Sequence, residues 1–335
     1  MKMKNIGVLG AGTWGMALAR MLSNGGHKVT VWSAIEKEID EFSATRKHPN
    51  LPGMEIPEAV AFTKDIQTVC ENKDILLFAV PSVFVRSTAG KAAPYISEGQ
   101  VIVDVAKGIE ADTLMTMSQI IADELKDPTV KIVALSGPTH AEEVAKDLPT
   151  TIVSACEDIQ TAELVQEVFA NSCMRVYTNA DILGVELCGA LKNVMALGSG
   201  IALGLGFGDN TKAALITRGM AEIVRLGRAM GCRETTFYGL AGIGDLIVTA
   251  TSMHSRNNRC GMLLGQGVSP EEAVKQVGMV VEGIHALHAA MRLMEKYHVD
   301  MPIVRAVNAV VNCGADARAE VLKLMEREQR PEADK

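Results

Sequence analysis

The chain opens with a short apolar segment, Asn5–Leu9, that runs directly into the glycine-rich turn Gly10-Ala-Gly-Thr-Trp-Gly15. A G-x-G-x-x-G turn between a strand and a helix is typical of dinucleotide-binding βαβ units. Gly10 permits the tight turn, Gly12 lets backbone amides approach a pyrophosphate, and Gly15 lets the helix pack closely on the strand. The N–H groups and dipole of the following helix then face the phosphates. The sequence therefore predicts a dinucleotide site, against the alternative of a glycine-rich turn without a ligand.

Strand-like runs of β-branched residues alternate with helical patterns through the first half of the chain. The predicted strands are Asn5–Leu9, Val29–Trp32, Ile75–Val80, Val101–Val105, Ile132–Ser136 and Thr151–Ser154, with a weaker pair at Val60–Phe62 and Arg175–Tyr177. Between them, segments such as Thr113–Leu125 have apolar residues at helical spacing. This alternation predicts an α/β fold, a Rossmann-type doubly wound parallel sheet.

From about Asp181 onward the strand signal fades, and long helical patterns with Gly or Pro punctuation replace it. The predicted helices are Val185–Leu197, Thr211–Met230, Glu271–Gln276, Ile284–Tyr297 and Pro302–Val311. We therefore expect a dinucleotide-binding Rossmann-like domain over residues 1–180 and an all-α substrate and catalytic domain over residues 181–335. Ligands of such sheets bind at the carboxyl ends of the strands, which here would face the helical domain.

The composition of the chain disfavours several classes of binding partner. The 335 residues carry a formal net charge of −7, which disfavours nucleic acid or an anionic membrane surface as the main partner. The apolar tract from Val194 to Phe207 is too short to span a bilayer. Seven scattered cysteines without a C-x-x-C pair favour a reducing compartment, and we expect a cytoplasmic protein. No histidine spacing matches a metal-ligand motif, so no metal is predicted.

Three charged residues could carry acid–base chemistry. Lys107 follows a predicted strand, although a lysine there is often only a turn residue. Lys192 lies on an otherwise apolar helix, either as a snorkelling surface residue or as a desolvated amine. If the two ammonium groups lie close together, burial and like-charge repulsion lower the pKa of Lys192. Asp245 is surrounded by glycine and apolar residues, so this acid is expected to have a specific partner.

Two polar segments could bind an anion. Ser136-Gly137-Pro138-Thr139-His140-Ala141 closes a predicted strand and offers N–H groups and a hydroxyl, unless it is an ordinary proline-containing turn. Ser255-Arg256-Asn257-Asn258-Arg259 combines hydroxyl, guanidinium and amide groups suited to a phosphate, with a solvated polar loop as the alternative.

The chain closely resembles the bacterial NAD(P)H-dependent glycerol-3-phosphate dehydrogenases over essentially its whole length. The matching motifs are Gly10–Gly15, Leu51-Pro-Gly53, Ala106-Lys-Gly108, Gly137–Ala145, Ala190–Val194, Gly204–Gly219, Gly239–Leu246, Thr251-Ser252 with Ser255-Arg-Asn257, and Val281-Glu-Gly283. The resemblance implies reduction of dihydroxyacetone phosphate to sn-glycerol 3-phosphate for glycerophospholipid synthesis, with NADPH or NADH as cofactor. It also implies a cytoplasmic homodimer.

Site residues follow from the same resemblance. It implies that Lys192 exchanges the proton, with Lys107 beside it. The implied substrate residues are Lys107, Gly137, Thr139, Lys192, Asp245, Ser255, Arg256 and Asn257. The implied cofactor residues are Gly10, Gly12, Thr13, Trp14, Gly15, Ser33, Lys107, Ala141, Arg256, Val280 and Glu282.

One departure concerns the cofactor. Trp32-Ser33-Ala34 has neither an acid for the NAD ribose nor an arginine for a 2′-phosphate, so we expect both cofactors to serve, with NADPH modestly preferred. Two other functions stay open on the sequence alone. They are a related 3-hydroxyacid or sugar-acid dehydrogenase, and a non-catalytic NADPH-sensing binding protein.

Overall fold

A computed structural model describes residues 2–329 and 331–332, so residues 330 and 333–335 of the second expected domain lie outside the described residues. Its sheet has the strand order β3-β2-β1-β4-β5-β6-β7-β8. The strands are β1 (Asn5–Leu9), β2 (Lys28–Trp32), β3 (Ala61–Thr63), β4 (Ile75–Phe78), β5 (Val101–Asp104), β6 (Lys131–Ser136), β7 (Thr150–Ala155) and β8 (Met174–Asn179). The six predicted strands and the weaker pair are all present, which confirms the Rossmann-type class.

The sheet departs from the predicted parallel arrangement at one pair of strands. β6 and β7 pair antiparallel, with Leu135 opposite Ser154, whereas every other neighbouring pair is parallel. The connection between them contains only a four-residue helix, Ala141–Val144. Because this helix is too short to carry the chain back along the sheet, β7 starts at the edge where β6 ends.

The described helices alternate with the strands and then form the second half of the chain alone. They are α1 (Thr13–Asn24), α2 (Glu36–Thr45), α3 (Ile66–Cys70), α4 (Val85–Ala92), α5 (Met117–Leu125), α6 (Ala141–Val144), α7 (Ile159–Phe169), α8 (Ile182–Gly204), α9 (Asp209–Ala229), α10 (Glu234–Phe237), α11 (Asp245–Thr251), α12 (Arg256–Gly265), α13 (Pro270–Val277), α14 (Glu282–Lys296), α15 (Pro302–Asn312) and α16 (Ala317–Met325). The all-α second half agrees with the sequence prediction.

One predicted helix starts too early. The pattern over Thr113–Leu125 predicted a helix throughout, but α5 begins only at Met117. Thr116 caps it through a reciprocal pair of hydrogen bonds with Gln119, and also forms an isolated bridge with Ile109. A capping box satisfies free N–H groups at the helix start, and it ends the extended segment before it.

Helix α8 runs through the middle of the helical half, and its central residues lie at the edge of the sheet where strands β1–β6 end. β8 runs opposite to β1–β6, so α8 starts at the far edge of the sheet and rises by about 15 Å to reach Lys192. It is long and apolar enough to cross a membrane, but 89% of its most apolar window is buried inside the described structure. It is therefore the core helix of this half.

Close packing holds α8 against α12. A Cβ atom on Gly200 of α8 would lie 2.1 Å from the carbonyl oxygen of Asn258, so only glycine permits this approach. The contact places the start of α12, with Arg256 and Asn257, near the segment of α8 that carries Lys192. The polar segment that begins at Ser255 and the lysine of α8 are thereby brought to one side of the helical half.

Candidate active site

Two lysines from different halves of the chain share one buried carboxylate. Lys107, which follows β5, donates to Asp245 Oδ2 at 2.7 Å and to the carbonyl oxygen of Gly137 at 3.1 Å. Lys192, on α8, forms an ion pair with Asp245 Oδ1. Asp245 is 0% exposed and Lys192 only 6% exposed. The sequence predicted that Asp245 has a partner, and the structure supplies two.

The electrostatics of this cluster favour proton exchange at Lys192. Burial, together with the positive charge of Lys107, lowers the pKa of the Lys192 ammonium to about 7, although Asp245 acts in the opposite sense. Burial alone would raise the pKa of Asp245, but the two ammonium groups outweigh it and hold that pKa below its usual range. The cluster thus combines an ionised acid with a lysine that titrates near neutrality, which is the range useful for general acid–base chemistry.

Thr249 belongs to this cluster and was missed in the sequence. Its hydroxyl oxygen accepts a hydrogen bond from Lys192 Nζ at 2.6 Å. Asp245 starts α11, directly after a π-helical turn over Leu240–Gly244, and Thr249 lies one turn later. Residues four apart share a helix face. This spacing was the available signal, because a partner of Lys192 on Asp245's helix must lie at such a position.

The polar turn after β6 contacts the same cluster. The carbonyl oxygen of Gly137 accepts hydrogen bonds from Lys107 and, at 3.2 Å, from the Thr139 hydroxyl. Ala141 begins α6 immediately after this turn. His140 carries a buried Nε2 atom without a hydrogen-bond partner, and its ring centroid lies 5.7 Å from that of His254. The turn therefore borders the lysine cluster on one side and the start of α12 on the other.

The start of α12 offers a second set of polar groups. Ser255 caps this helix by accepting the Asn258 N–H at 3.2 Å. Asn257 donates to Asn193 Oδ1 at 2.9 Å and accepts the Gly283 N–H at 2.8 Å, so its side chain links three helices. Asn193 is the neighbour of Lys192 and was also missed as a site residue. The backbone N–H groups in the first turn of α12 have no acceptor within the helix and can bind an anion.

The Arg256 guanidinium lies between the two halves of the chain and makes few contacts. Its Nη1 atom donates to the carbonyl oxygen of Val280 at 3.5 Å, which is longer and therefore weaker than a normal hydrogen bond. Burial lowers the pKa of its guanidinium, while the charges of Glu282 and Glu142 oppose the shift. Glu282, in turn, accepts hydrogen bonds from the backbone N–H and hydroxyl of Ser82. A desolvated guanidinium of this kind suits a bound phosphate oxyanion.

The glycine turn fits a dinucleotide. Gly10 has φ +121°, and a Cβ atom there would lie 2.6 Å from the carbonyl oxygen of Ala79. A Cβ atom on Gly12, in contrast, would meet nothing within 4 Å, so this residue faces open space at the start of α1. No side chain caps α1, which begins with Thr13 and Trp14 and continues with a buried Gly15. The open cradle and the uncapped N–H groups match the requirements of a pyrophosphate.

Ser33 lies at the end of β2, apart from the lysine cluster. Its hydroxyl donates to Glu38 Oε2 at 2.7 Å. The structure therefore arranges the predicted residues in two groups, one at the glycine turn and β2, and one around Lys107, Lys192 and Asp245.

Comparisons with known proteins match nearly the whole chain to one family. Two family models match, the NAD-dependent glycerol-3-phosphate dehydrogenase N-terminus over residues 5–162 and the C-terminus over residues 181–322. The chain is 67% identical to "Glycerol-3-phosphate dehydrogenase [NAD(P)+] 2" of Lactobacillus delbrueckii subsp. bulgaricus, covering 99% of this chain and 100% of that protein. A protein of Agathobacter rectalis, "Glycerol-3-phosphate dehydrogenase [NAD(P)+]", is 52% identical and covers 98% of each chain.

A solved structure is similar as well. The crystal structure of glycerol-3-phosphate dehydrogenase from Coxiella burnetii superimposes with a TM-score of 0.93 at 36% identity. The match covers 97% of this chain and 99% of that one.

Proposed function

Because this chain belongs to the NAD-dependent glycerol-3-phosphate dehydrogenase family, we propose that Lys192 exchanges the proton in its reaction. The protein is an NAD(P)-dependent oxidoreductase that interconverts dihydroxyacetone phosphate and sn-glycerol 3-phosphate. The observation that carries the assignment is the pair of lysines on one buried carboxylate, Asp245.

The chemistry requires a group that can both give and accept a proton. A bound nicotinamide cofactor would supply the hydride to the carbonyl carbon, or take it up from the carbon that bears the hydroxyl in the reverse direction. Reduction of a ketone places negative charge on its oxygen, and the Lys192 ammonium stabilises that charge and donates the proton. In the reverse direction the neutral Lys192 amine accepts the hydroxyl proton. A pKa of about 7 populates both forms near neutral pH.

Lys107 and Asp245 complete the reacting part of the substrate pocket. Lys107 adds a second positive charge that stabilises the same developing oxyanion and keeps the pKa of Lys192 low. Asp245 holds the two ammonium groups at fixed positions through its two oxygens. Thr249 orients Lys192 from one turn further along α11. Gly137 and Thr139 border the pocket beside Lys107.

The substrate phosphate binds at the start of α12. Arg256 supplies a guanidinium fork, and the first-turn N–H groups of Arg256 and Asn257 supply further donors. Ser255 and Asn257 hold this turn in place, through the cap and through the links to Asn193 and Gly283.

The cofactor binds along the glycine turn and across to the helical half. Gly10, Gly12 and Gly15 with Thr13 and Trp14 would hold the pyrophosphate, and Ser33 would lie on the ribose side. The residues proposed near the nicotinamide end are Lys107, Ala141, Arg256, Val280 and Glu282.

The boundary between β8 and α8 divides the chain into two functional parts. We assign residues 1–180 to cofactor binding and 181–335 to substrate binding, because β8 ends at Asn179 and α8 begins at Ile182.

We further propose a cytoplasmic homodimer. Free thiols at all seven cysteines support a reducing compartment, and exposed Leu322 and Met325 on α16 support a contact between subunits. Light scattering behind gel filtration measures the mass, and a monomer of 35.8 kDa would refute the dimer.

One spectrophotometric assay tests the reaction. NADPH or NADH absorbance is followed with dihydroxyacetone phosphate, with unphosphorylated dihydroxyacetone, and with a panel of 2-keto and 3-keto acids. We expect rapid oxidation of the cofactor with dihydroxyacetone phosphate alone. Faster turnover of a keto acid would instead favour a hydroxyacid dehydrogenase, and no turnover with any substrate would favour a cofactor-sensing protein.

A further inference from the structure

An acidic side chain occupies the end of β2, where the sequence shows none. Ser33 follows the last residue of β2, and the backbone there is fixed beside the glycine turn because Gly10 N–H donates to the Trp32 carbonyl at 2.9 Å. Glu38, in the first turns of α2, reaches back to this point and accepts the Ser33 hydroxyl at 2.7 Å. The Ile35 N–H donates to the same hydroxyl oxygen at 3.1 Å, which fixes its orientation.

The lysine and arginine side chains around this point either bind other groups or are exposed to solvent. Lys64 pairs with Asp40 at 2.7 Å and with Glu36 at 3.7 Å. Arg46 donates to the Val60 carbonyl at 2.7 Å and lies over the Phe62 ring. Lys37 is exposed to solvent, where its charge is strongly screened. Glu38 therefore has Ser33 as its hydrogen-bond partner, and no arginine or lysine bonds to it among the described residues.

We propose that Glu38, held in place by Ser33, is the residue that recognises the adenosine ribose and makes this enzyme prefer NADH over NADPH. This inference rests on the proposed cofactor site. A carboxylate at the end of β2 accepts hydrogen bonds from ribose hydroxyls, and the same carboxylate repels a 2′-phosphate. This proposal is the opposite of the modest NADPH preference expected from the sequence, because the acid is five residues beyond Ser33 and its side chain reaches back to the end of β2.

The test compares Glu38→Gln with Glu36→Gln as a matched control. Both residues lie in the first turn of α2, but Glu36 faces Lys64 and has no bond to Ser33. We expect the wild-type protein to have the higher kcat/KM with NADH. Glu38→Gln should raise kcat/KM for NADPH by about tenfold and lower that for NADH, because the variant keeps an oxygen acceptor but loses the repelling charge. Glu36→Gln should change neither value by more than about twofold.

Calorimetry with cofactor fragments gives a readout independent of turnover. Glu38→Gln should tighten binding of 2′,5′-ADP by about tenfold and weaken binding of 5′-AMP, with the first effect clearest at low salt. Ser33→Ala, which frees the Glu38 side chain, should weaken 5′-AMP binding and serves if Glu38→Gln does not fold. A wild-type preference for NADPH, or 2′,5′-ADP binding that neither variant alters, would overturn the assignment of Glu38. Absence of turnover with both cofactors while the fragments still discriminate would instead overturn the proposed function.

Discussion

Lys192 and Asp245 lie 53 residues apart in the sequence and form an ion pair that is almost completely buried. The other oxygen of Asp245 binds Lys107, and the charge of Lys107 lowers the pKa of Lys192. A buried charge left without its partner is strongly destabilising, and this cluster therefore couples the stability of the site to its chemistry.

Removing the Lys192 ammonium should abolish most of the turnover while leaving the cofactor site intact. Lys192→Met keeps the apolar stem of the side chain, and we expect kcat to fall by about 10²-fold or more, the usual scale for a positioned general acid. The control is Lys275→Met, whose side chain is 81% exposed on α13. Steady-state rates and calorimetric binding of NADH are measured on both proteins. Unchanged kcat in folded Lys192→Met would remove the assigned role.

The pH dependence should reverse between the two directions of the reaction. Lys192 has a pKa of about 7, so the ammonium is present below that pH and the neutral amine above it. Reduction of dihydroxyacetone phosphate needs the ammonium and should slow as pH rises through about 7, whereas oxidation of glycerol 3-phosphate should accelerate. The charge of Asp245 raises the pKa of Lys192, so Asp245→Asn should shift both profiles to lower pH. Profiles that keep their position in this variant would argue against the coupling.

Arg256 should discriminate the phosphorylated substrate from its unphosphorylated analogue. A bidentate guanidinium–phosphate contact contributes only when the phosphate is present. Arg256→Ala should therefore raise KM for dihydroxyacetone phosphate by about 10²-fold and scarcely affect unphosphorylated dihydroxyacetone. Arg256→Lys retains the charge without the fork and should give an intermediate KM. Equal losses for both substrates would assign Arg256 to the cofactor or to the framework instead.

A buried carboxylate far from the lysine cluster should make folding stability depend on pH. Glu222 on α9 is 2% exposed and accepts the Ile303 N–H at 2.7 Å and the Val304 N–H at 3.3 Å, at the start of α15. Burial raises the pKa of Glu222 to about 7 despite these hydrogen bonds. The folded state thus holds a proton that the unfolded state releases, and stability present at low pH is lost as pH rises through about 7.

Chemical denaturation at several pH values measures this effect. Between pH 5 and 7 the Glu222 proton should lower the free energy of unfolding as pH rises, with a limiting slope of about −1.4 kcal/mol per pH unit. Glu222→Gln, which cannot titrate, should remove that slope, and Glu271→Gln on the exposed first turn of α13 should retain it. Identical slopes in the two variants would show that another group carries the dependence.

Local patterns in the sequence predicted much of the fold. Apolar runs located the strands to within one or two residues, and the glycine spacing placed the turn at Gly10, because these signals depend on neighbours along the chain. Lys107, Lys192 and Asp245 stood out as candidates for a similar reason, since a charge in an apolar segment needs a partner. The sequence alone thus determined the class of fold and the residue types available for chemistry.

The tertiary structure decided which of these residues meet. The antiparallel turn between β6 and β7, the sharing of Asp245 by two lysines, and the bond between Thr249 and Lys192 all join distant segments. Glu38 is the clearest example of a contact that the sequence does not reveal. The sequence has no acid at the end of β2, and the fold brings one there from α2. Such contacts are set by helix packing and by the need to satisfy buried charge, which depend on the whole chain and leave no local pattern in the sequence.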